Sequence, residues 1–211
     1  MVRFGYRDLY YSDRWQVIAE RYYAEDSTGT ARTTQTVTNV FSPGYVDELV
    51  QRSRSTVNES FDEFTQEWAV TGSTSDALYL QQDANFNVTS VTDTGGTVQE
   101  RYLYDPYGKQ TYLTGGWGSR SSSSYGMVYL HQGGRYNAVN KLYSFRFRDY
   151  SADLGRWMQQ DPAGYVDGAS FYQVVVSSPL TWVDPLGLRG DPLNGGARPS
   201  DTHSDYSARS R

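Results

Sequence analysis

Val98-Gln99-Glu100-Arg101-Tyr102-Leu103-Tyr104-Asp105-Pro106-Tyr107-Gly108 is the stretch that decides the fold. Val98, Glu100, Tyr102 and Tyr104 alternate with Gln99, Arg101 and Leu103, the period-2 pattern of a strand with two unlike faces. The strand then runs into Asp-Pro-Tyr-Gly. Asp at the first position accepts backbone hydrogen bonds, Pro presets the second residue's φ, and Gly relaxes the fourth, so the tetrad predicts a type I turn. Asp-Pro-x-Gly begins again at Asp161 and at Asp184. A strand closed by a tight turn is therefore a repeated unit, and such units need stacked neighbours to bury their faces.

Working outward, a turn at Asp93-Thr94-Gly95-Gly96 precedes this strand, and residues 77–126 read as hairpins ending in a Gly/Ser loop. Residues 1–46 read as a degenerate hairpin segment: the alternating run Gln16 to Tyr23 breaks at Ser27-Thr28-Gly29 and at Ser42-Pro43-Gly44. Residues 47–76 are polar, with Val57, Phe61, Phe64 and Trp68 spaced by three and four, a pattern that fits a short amphipathic helix or an irregular insertion. Farther on, Arg135-Tyr136 and Leu142 to Tyr150 flank a turn over Asn137 to Lys141. Within the second of these runs, aromatic Tyr143, Phe145 and Phe147 alternate with Ser144, Arg146 and Arg148, which places both arginines on a solvent face. Ser151 to Gly155 reads as a turn of helix, and Ser170 as the cap of an apolar segment through Val176. The tail, 189–211, is polar and expected to be disordered.

Composition narrows the function. The 211 residues carry 19 Tyr, 8 Phe and 5 Trp against a mean hydropathy of -0.67, so burial leans on aromatic rings that suit half-exposed sheets. A formal charge of -5 gives no attraction to phosphate, which argues against a nucleic-acid partner. There is no Cys, and the two histidines are His131 and His203, too few for a zinc cage or a thiol nucleophile; no metal or cofactor is expected. No nucleophile elbow accompanies either His, so a Ser/His/Asp triad is set aside. No run approaches the roughly 18 apolar residues of a membrane span, and no apolar leader follows Met1. Localisation stays unknown from the residues themselves.

The run Arg101 to Lys109 carries Tyr-x-Tyr-Asp-x-x-Gly and resembles a YD repeat. Residues 127–188 resemble the RHS repeat-associated core domain through Arg148-Asp149-Tyr150, Leu154-Gly155-Arg156-Trp157, Gln160-Asp161-Pro162-Ala163-Gly164 and Ser178 to Leu188. The last of these satisfies the family's Pro-x4-Asp-Pro-x-Gly-Leu terminus. The resemblance implies a mainly β fold: antiparallel YD-repeat hairpins, part of a β-spiral shell, ending in a compact core plug with short helical turns. It further implies a single-turnover aspartyl autoprotease with Asp161 and Asp184 as the carboxylate pair and Arg148 as the supporting cation. The cut would fall between Leu188 and Arg189, releasing the C-terminal segment of a polymorphic-toxin-like or secreted surface protein.

In two places the chain departs from the family pattern: Asn137 stands for an Asp and Lys141 for a Gly in one turn, where Asn140 is expected to take the left-handed conformation, and Val174 to Val176 replace a less sticky stretch. Too few hairpins precede the core to enclose a cargo, so the chain reads as a terminal fragment whose partner is an upstream YD-repeat shell of the same or a neighbouring chain. Two alternatives stand beside cleavage. One is a non-catalytic adhesion module touching cell-surface glycan through Tyr143 and Trp157; the other is an inactive remnant in which the aspartates serve only as turn residues.

Overall fold

The computed structural model describes residues 4–165 and 169–193, and these form two compact units, residues 4–40 with 50–79, and residues 41–49 with the described residues from 80 to 193. Almost every element is an antiparallel strand, as the alternating sequence predicts. No described helix is long and apolar enough to cross a membrane.

The first unit is an up-and-down meander of β1 (Phe4–Tyr11), β2 (Val17–Glu25), β3 (Ala31–Phe41), β4 (Leu49–Asp62) and β5 (Glu67–Gln82), each beside the next. Residues 47–76 are thus a long hairpin, correcting the expectation of a helix or irregular insertion. The three-and-four spacing has a different origin. Phe61 and Trp68 are cross-strand partners with ring centroids 5.4 Å apart, and Phe64 sits between them at the turn tip, 97% exposed. Asp62 makes the turn by accepting the amides of Phe64 and Thr65 at 2.8 and 3.1 Å. Rich in Thr, Ser and Val, the flanking segments prefer the pleated state once that turn is set.

The second unit holds the predicted hairpins: β6 (Val88–Thr92), β7 (Val98–Tyr104), β8 (Gln110–Thr114) and β9 (Ser119–Arg120) pair in order. On β7, Glu100 and Tyr102 face inward and are almost fully buried. The Glu100 carboxylate is satisfied by Tyr102 Oη at 2.7 Å, Arg120 at 2.6 Å, Ser123 Oγ at 2.6 Å and the Ser124 amide at 2.5 Å. That one buried acid ties down the Gly/Ser stretch.

A second sheet comprises β10 (Arg135–Asn137), β11 (Leu142–Phe145), β12 (Arg148–Ser151) and β13 (Arg156–Trp157), and a third pairs β14 (Trp182–Val183) with β15 (Asp191–Pro192). Leu142 to Tyr150 is therefore two strands. Arg146, at φ 59°, turns the chain between them, and the Phe147 amide closes the turn on Phe145 O at 2.7 Å. This break reverses the expected faces: Phe147 is 41% exposed, whereas Arg148 is buried. In the preceding turn Lys141, at φ 60°, takes the left-handed position expected of Asn140, while Asn137 Oδ1 accepts the Val139 amide at 2.9 Å as an Asp would. Ser151 to Gly155 is a β-turn rather than helix, joining β12 to β13. Val175 to Ser177 form a single turn with φ of 39°, 52° and 58°, not a capped right-handed helix. Past Leu188 the chain turns back as β15, and Leu193 N bonds Thr181 O at 2.9 Å, so residues 189–193 are ordered against β14. The rest of the expected disordered tail, 194–211, lies outside the described residues.

His131 anchors this unit's aromatic core, within 6.1 Å of the rings of Tyr104, Tyr143 and Tyr150. Asn87 Nδ2 donates to Asp83, which turns its Oδ1 toward His131 Nδ1 at 2.7 Å and assigns the proton to Nδ1. A Cβ on Gly108 would lie 2.3 Å from the His131 ring, at a backbone φ of 88°. Gly108→Ala is expected to cost about 2–4 kcal/mol, overlap added to left-handed strain. By contrast Gly29→Ala, at φ 72° with open space around it, should cost about 1 kcal/mol. Urea midpoints of the two variants check the difference.

Burial holds the His131 imidazolium pKa down at about 4 from 6.5, with Asp83 and Asp105 opposing weakly. The unfolded chain therefore binds a proton that the fold refuses. This contribution is intact above pH 6.5 and is lost as pH falls toward 4, by about 3 kcal/mol in all. A His131→Gln variant should be less stable at pH 7 but show a shallower loss between pH 6.5 and 4, read from urea midpoints across that range.

Candidate functional site

Asp161 and Asp184 each open an Asp-Pro-x-Gly turn in the way the sequence predicts. Gly164 N and Gly187 N bond back to the respective aspartate carbonyls at 3.1 and 3.2 Å, and both glycines have positive φ. Within each carboxylate the two oxygens divide their work. Oδ1 serves the turn, accepting the Ala163 amide at 2.7 Å in one case and the Leu188 amide at 3.0 Å in the other. Oδ2 faces Arg148, whose Nη1 lies 2.8 Å from Asp161 and whose Nη2 lies 3.2 Å from Asp184. The Nη1 contact is ionic, off the line of a hydrogen bond. Turn residue and ion-pair residue are thus the same residue. Asp105 makes the comparison: its Oδ1 accepts the Tyr107 and Lys109 amides at 2.9 Å, but the residue is exposed and meets no guanidinium among the described residues.

Arg148 opens β12 and is buried, as are both aspartates. Its Nε donates to Gly187 O at 2.5 Å, and its guanidinium lies 4.4 Å from the Trp157 ring centre. One planar cation thus joins two carboxylates and the backbone of the Gly-Leu segment, a task that needs the fork of an arginine. The solvent-face reading of Arg148 is overturned, because the turn at Arg146 shifts its side chain into the interior.

Three consecutive donors from 146 to 148 hold three consecutive carbonyls. Arg146 Nη1 donates to Pro185 O at 2.6 Å, Phe147 N to Leu186 O at 3.1 Å, and Arg148 Nε to Gly187 O. Arg146 is held in turn by a bidentate pair with Asp47 at 2.6 and 2.8 Å. Burial raises the Asp47 pKa while Arg146 opposes that rise. A Cβ on Gly187 would meet Phe145 O at 2.8 Å, so the segment lies flat in its cradle only as glycine. Beyond it Leu188 is buried, whereas the Arg189 side chain is 61% exposed and 3.8 Å from Asp191. The Leu188–Arg189 bond therefore stands where the chain leaves the interior, before β15 takes it back.

Sequence reasoning missed Asp47 and Arg146. No signal links two residues 99 positions apart, although the Arg-x-Arg pattern pointed at the right strand junction. The residues proposed for glycan contact fare differently: Tyr143 and Trp157 are fully buried against Phe145 and Tyr150, so a sugar ring has no access to them.

Comparison with known proteins gives toxin subunits and a deaminase toxin among the relatives. The chain is 35% identical over 96 residues to toxin subunit YenC2 of Yersinia entomophaga and 33% identical over 98 residues to toxin subunit YenC1 of the same organism, each match covering 46% of this chain and 10% of the relative. A 44-residue stretch, 21% of this chain and 3% of the relative, is 48% identical to double-stranded DNA deaminase toxin A of Burkholderia cenocepacia (strain H111). The chain thus spans about a tenth of the length of the two Yersinia subunits it matches. Among solved structures, the TcdB2-TccC3 complex with Cdc42 aligns over 86% of this chain and 10% of its own, with TM-score 0.48 and 19% identity. No family model matches. These toxin-subunit relatives and the mainly antiparallel β architecture are consistent with the resemblance of residues 101–109 and 127–188 to RHS/YD-repeat proteins.

Proposed function

We propose that this segment is a single-turnover aspartyl autoprotease core that cuts its own chain between Leu188 and Arg189. The observation that carries the reading is the buried Arg148, which contacts both Asp-Pro-x-Gly carboxylates and the Gly187 carbonyl while Asp184 holds the Leu188 amide. Hydrolysis by two carboxylates needs one as base toward water and one as protonated acid toward the departing nitrogen. Arg148 keeps the pair together and fixes their orientation. The cleavable bond sits four residues beyond Asp184 on the same chain, so effective molarity replaces a substrate pocket.

In this reading the segment freed at Arg189 is the start of a toxin-like effector, in keeping with the relatives, which are named as toxin subunits and a deaminase toxin. The partner is an upstream YD-repeat shell, and the setting is a secreted or surface assembly. A second reading has an observation of its own: Asp105 builds the same turn with no guanidinium, so the turns alone explain an aspartate at each position. Arg148 would then be a structural lock on the Gly-Leu segment. Chemical labelling of new amino termini after incubation of the purified chain separates the two. A terminus at Arg189 is expected; its absence would leave the lock.

A further inference from the structure

The loop that carries Asp184 is held by side chains that come from far back in the chain. Asn85 Nδ2 donates to Pro179 O at 2.8 Å, 94 positions away, and Gln132 Nε2 reaches Pro179 O at 3.2 Å and Trp182 O at 3.0 Å. Asn85 and Gln132 are both buried. Gln132 has a φ of 48°, and its backbone amide donates to Asn87 Oδ1 at 3.0 Å. A non-glycine residue keeps that left-handed conformation where its surroundings over-determine it, and such positions gather at functional sites. Asn85 and Asn87 belong to the turn between β5 and β6, in which Asp83 Oδ1 accepts both of their amides, at 2.9 and 3.0 Å. Phe86 of the same turn stacks on Tyr45 at 3.7 Å, and two residues beyond Tyr45, Asp47 holds the Arg146 that donates to Pro185 O. One hairpin turn thus reaches the chain on both sides of Asp184.

We propose that docking of the turn at 83–87 licenses the cut, with Asn85 and Gln132 as the positioning residues that transmit it. The proposal deepens the self-cleavage reading and rests on it. Asp161 and Asp184 lie on separate turns, 2.8 and 3.2 Å from one guanidinium, so their mutual placement depends on where the 179–188 loop sits. Carbonyls fixed at 179, 182 and 185 fix that loop, and an error of about 1 Å in the placement of an acid–base pair costs about a hundredfold in rate. Asn85 and Gln132 act on the loop backbone and leave the chemistry to the aspartates. Their bonds to Pro179 O close 94 and 47 positions of chain, and contacts of that range form after the local hairpins have. A chain whose β5–β6 turn has not docked therefore has its aspartates without their geometry, and stays uncut.

The test uses the full chain in two arms. In the first, Asn85→Ala and Gln132→Met each remove a donor to the loop, and cleavage is measured per folded molecule, with the folded fraction taken from urea curves. Each variant should cut about tenfold to a hundredfold more slowly, and the apparent pKa values of the aspartate pair, read from the pH–rate profile, should move. The double variant should lose less than the product of the two, since both side chains serve Pro179 O. Asn39→Ala is the control: it removes a buried bond of the same kind, Asn39 Nδ2 to Val17 O at 2.8 Å, in the first unit, and should leave both rate and profile unchanged. Should Asn85→Ala fail to fold, Asn85→Ser keeps a polar side chain in the turn but is one bond too short for Pro179 O. In the second arm, hydrogen exchange of the Gly187 and Leu188 amides is followed in Asp184→Asn, which holds the chain intact, and adding Gln132→Met should quicken it about tenfold. Slower cutting with a shifted profile and quicker exchange supports the proposal. Wild-type rates in the folded clamp variants would overturn the licensing, and unchanged exchange would overturn the clamp. A wild-type chain that never cuts would remove the self-cleavage reading and the licensing with it, while the exchange arm still decides whether the turn braces the Asp184 loop.

Discussion

Arg148→Met should destabilise the fold by about 3–5 kcal/mol, because it removes the cation that contacts two buried aspartates. The side chains of Arg148, Asp161 and Asp184 are 0%, 3% and 1% exposed, so solvent does little to screen that loss. Gly187 O loses its Nε donor at the same time, and Trp157 loses the guanidinium on its face. Against a total stability of about 5–15 kcal/mol, typical of a domain, the variant stands close to unfolding at room temperature. The sign of a second step is diagnostic. Adding Asp161→Asn and Asp184→Asn removes the buried carboxylate charge left without its cation and should recover much of the loss, with urea midpoints as the measurement. A triple variant no better than Arg148→Met would mean that guanidinium packing, not charge, holds the site.

Asp184→Asn should have the opposite profile, with small cost to the fold and large cost to chemistry. The Asn side-chain carbonyl still accepts the Leu188 amide, and Arg148 keeps Asp161 as partner, so stability should change by about 1 kcal/mol. The base is gone, and general acid–base groups of this kind contribute about 10²–10⁴ in rate. Cleavage should therefore fall by at least about a hundredfold. Asp161→Asn should match it, since losing either member of an acid–base pair disables both. Asp105→Asn is the control: an exposed turn aspartate that meets no guanidinium among the described residues should leave cleavage unchanged.

The strand architecture was legible because its signal is local. Alternation on Val98 to Tyr104 and the Asp-Pro-x-Gly tetrads each fix a conformation within a few residues. The same turn also occurs without its signature. Ser12, Asp83 and Thr114 accept side-chain hydrogen bonds as Asp105 does, yet the left-handed position is filled by Trp15, Phe86 and Trp117. A side-chain acceptor and a paired strand override the preference for glycine, so the tetrads understate the repeat. The β4–β5 hairpin was hidden for a related reason: Phe61 and Trp68 meet across a turn, which mimics helical spacing.

At the site, Asp161 and Asp184 were legible through their turns and the Gly-Leu that follows. The burial of Arg148 was not, since it depends on the chain bending at Arg146 in place of a continuous strand. Nor was Asp47, which reaches the Asp184 loop through Arg146. Long-range contacts of this sort leave no period or spacing in one sequence.

The most direct test is the intact mass of the freshly purified chain, followed over days at several pH values beside Asp184→Asn. The account expects the wild-type mass to settle at that of a chain ending at Leu188, with the variant remaining full length. Wild-type protein that stays full length throughout would contradict it, and would leave Arg148 and its two aspartates as a structural lock.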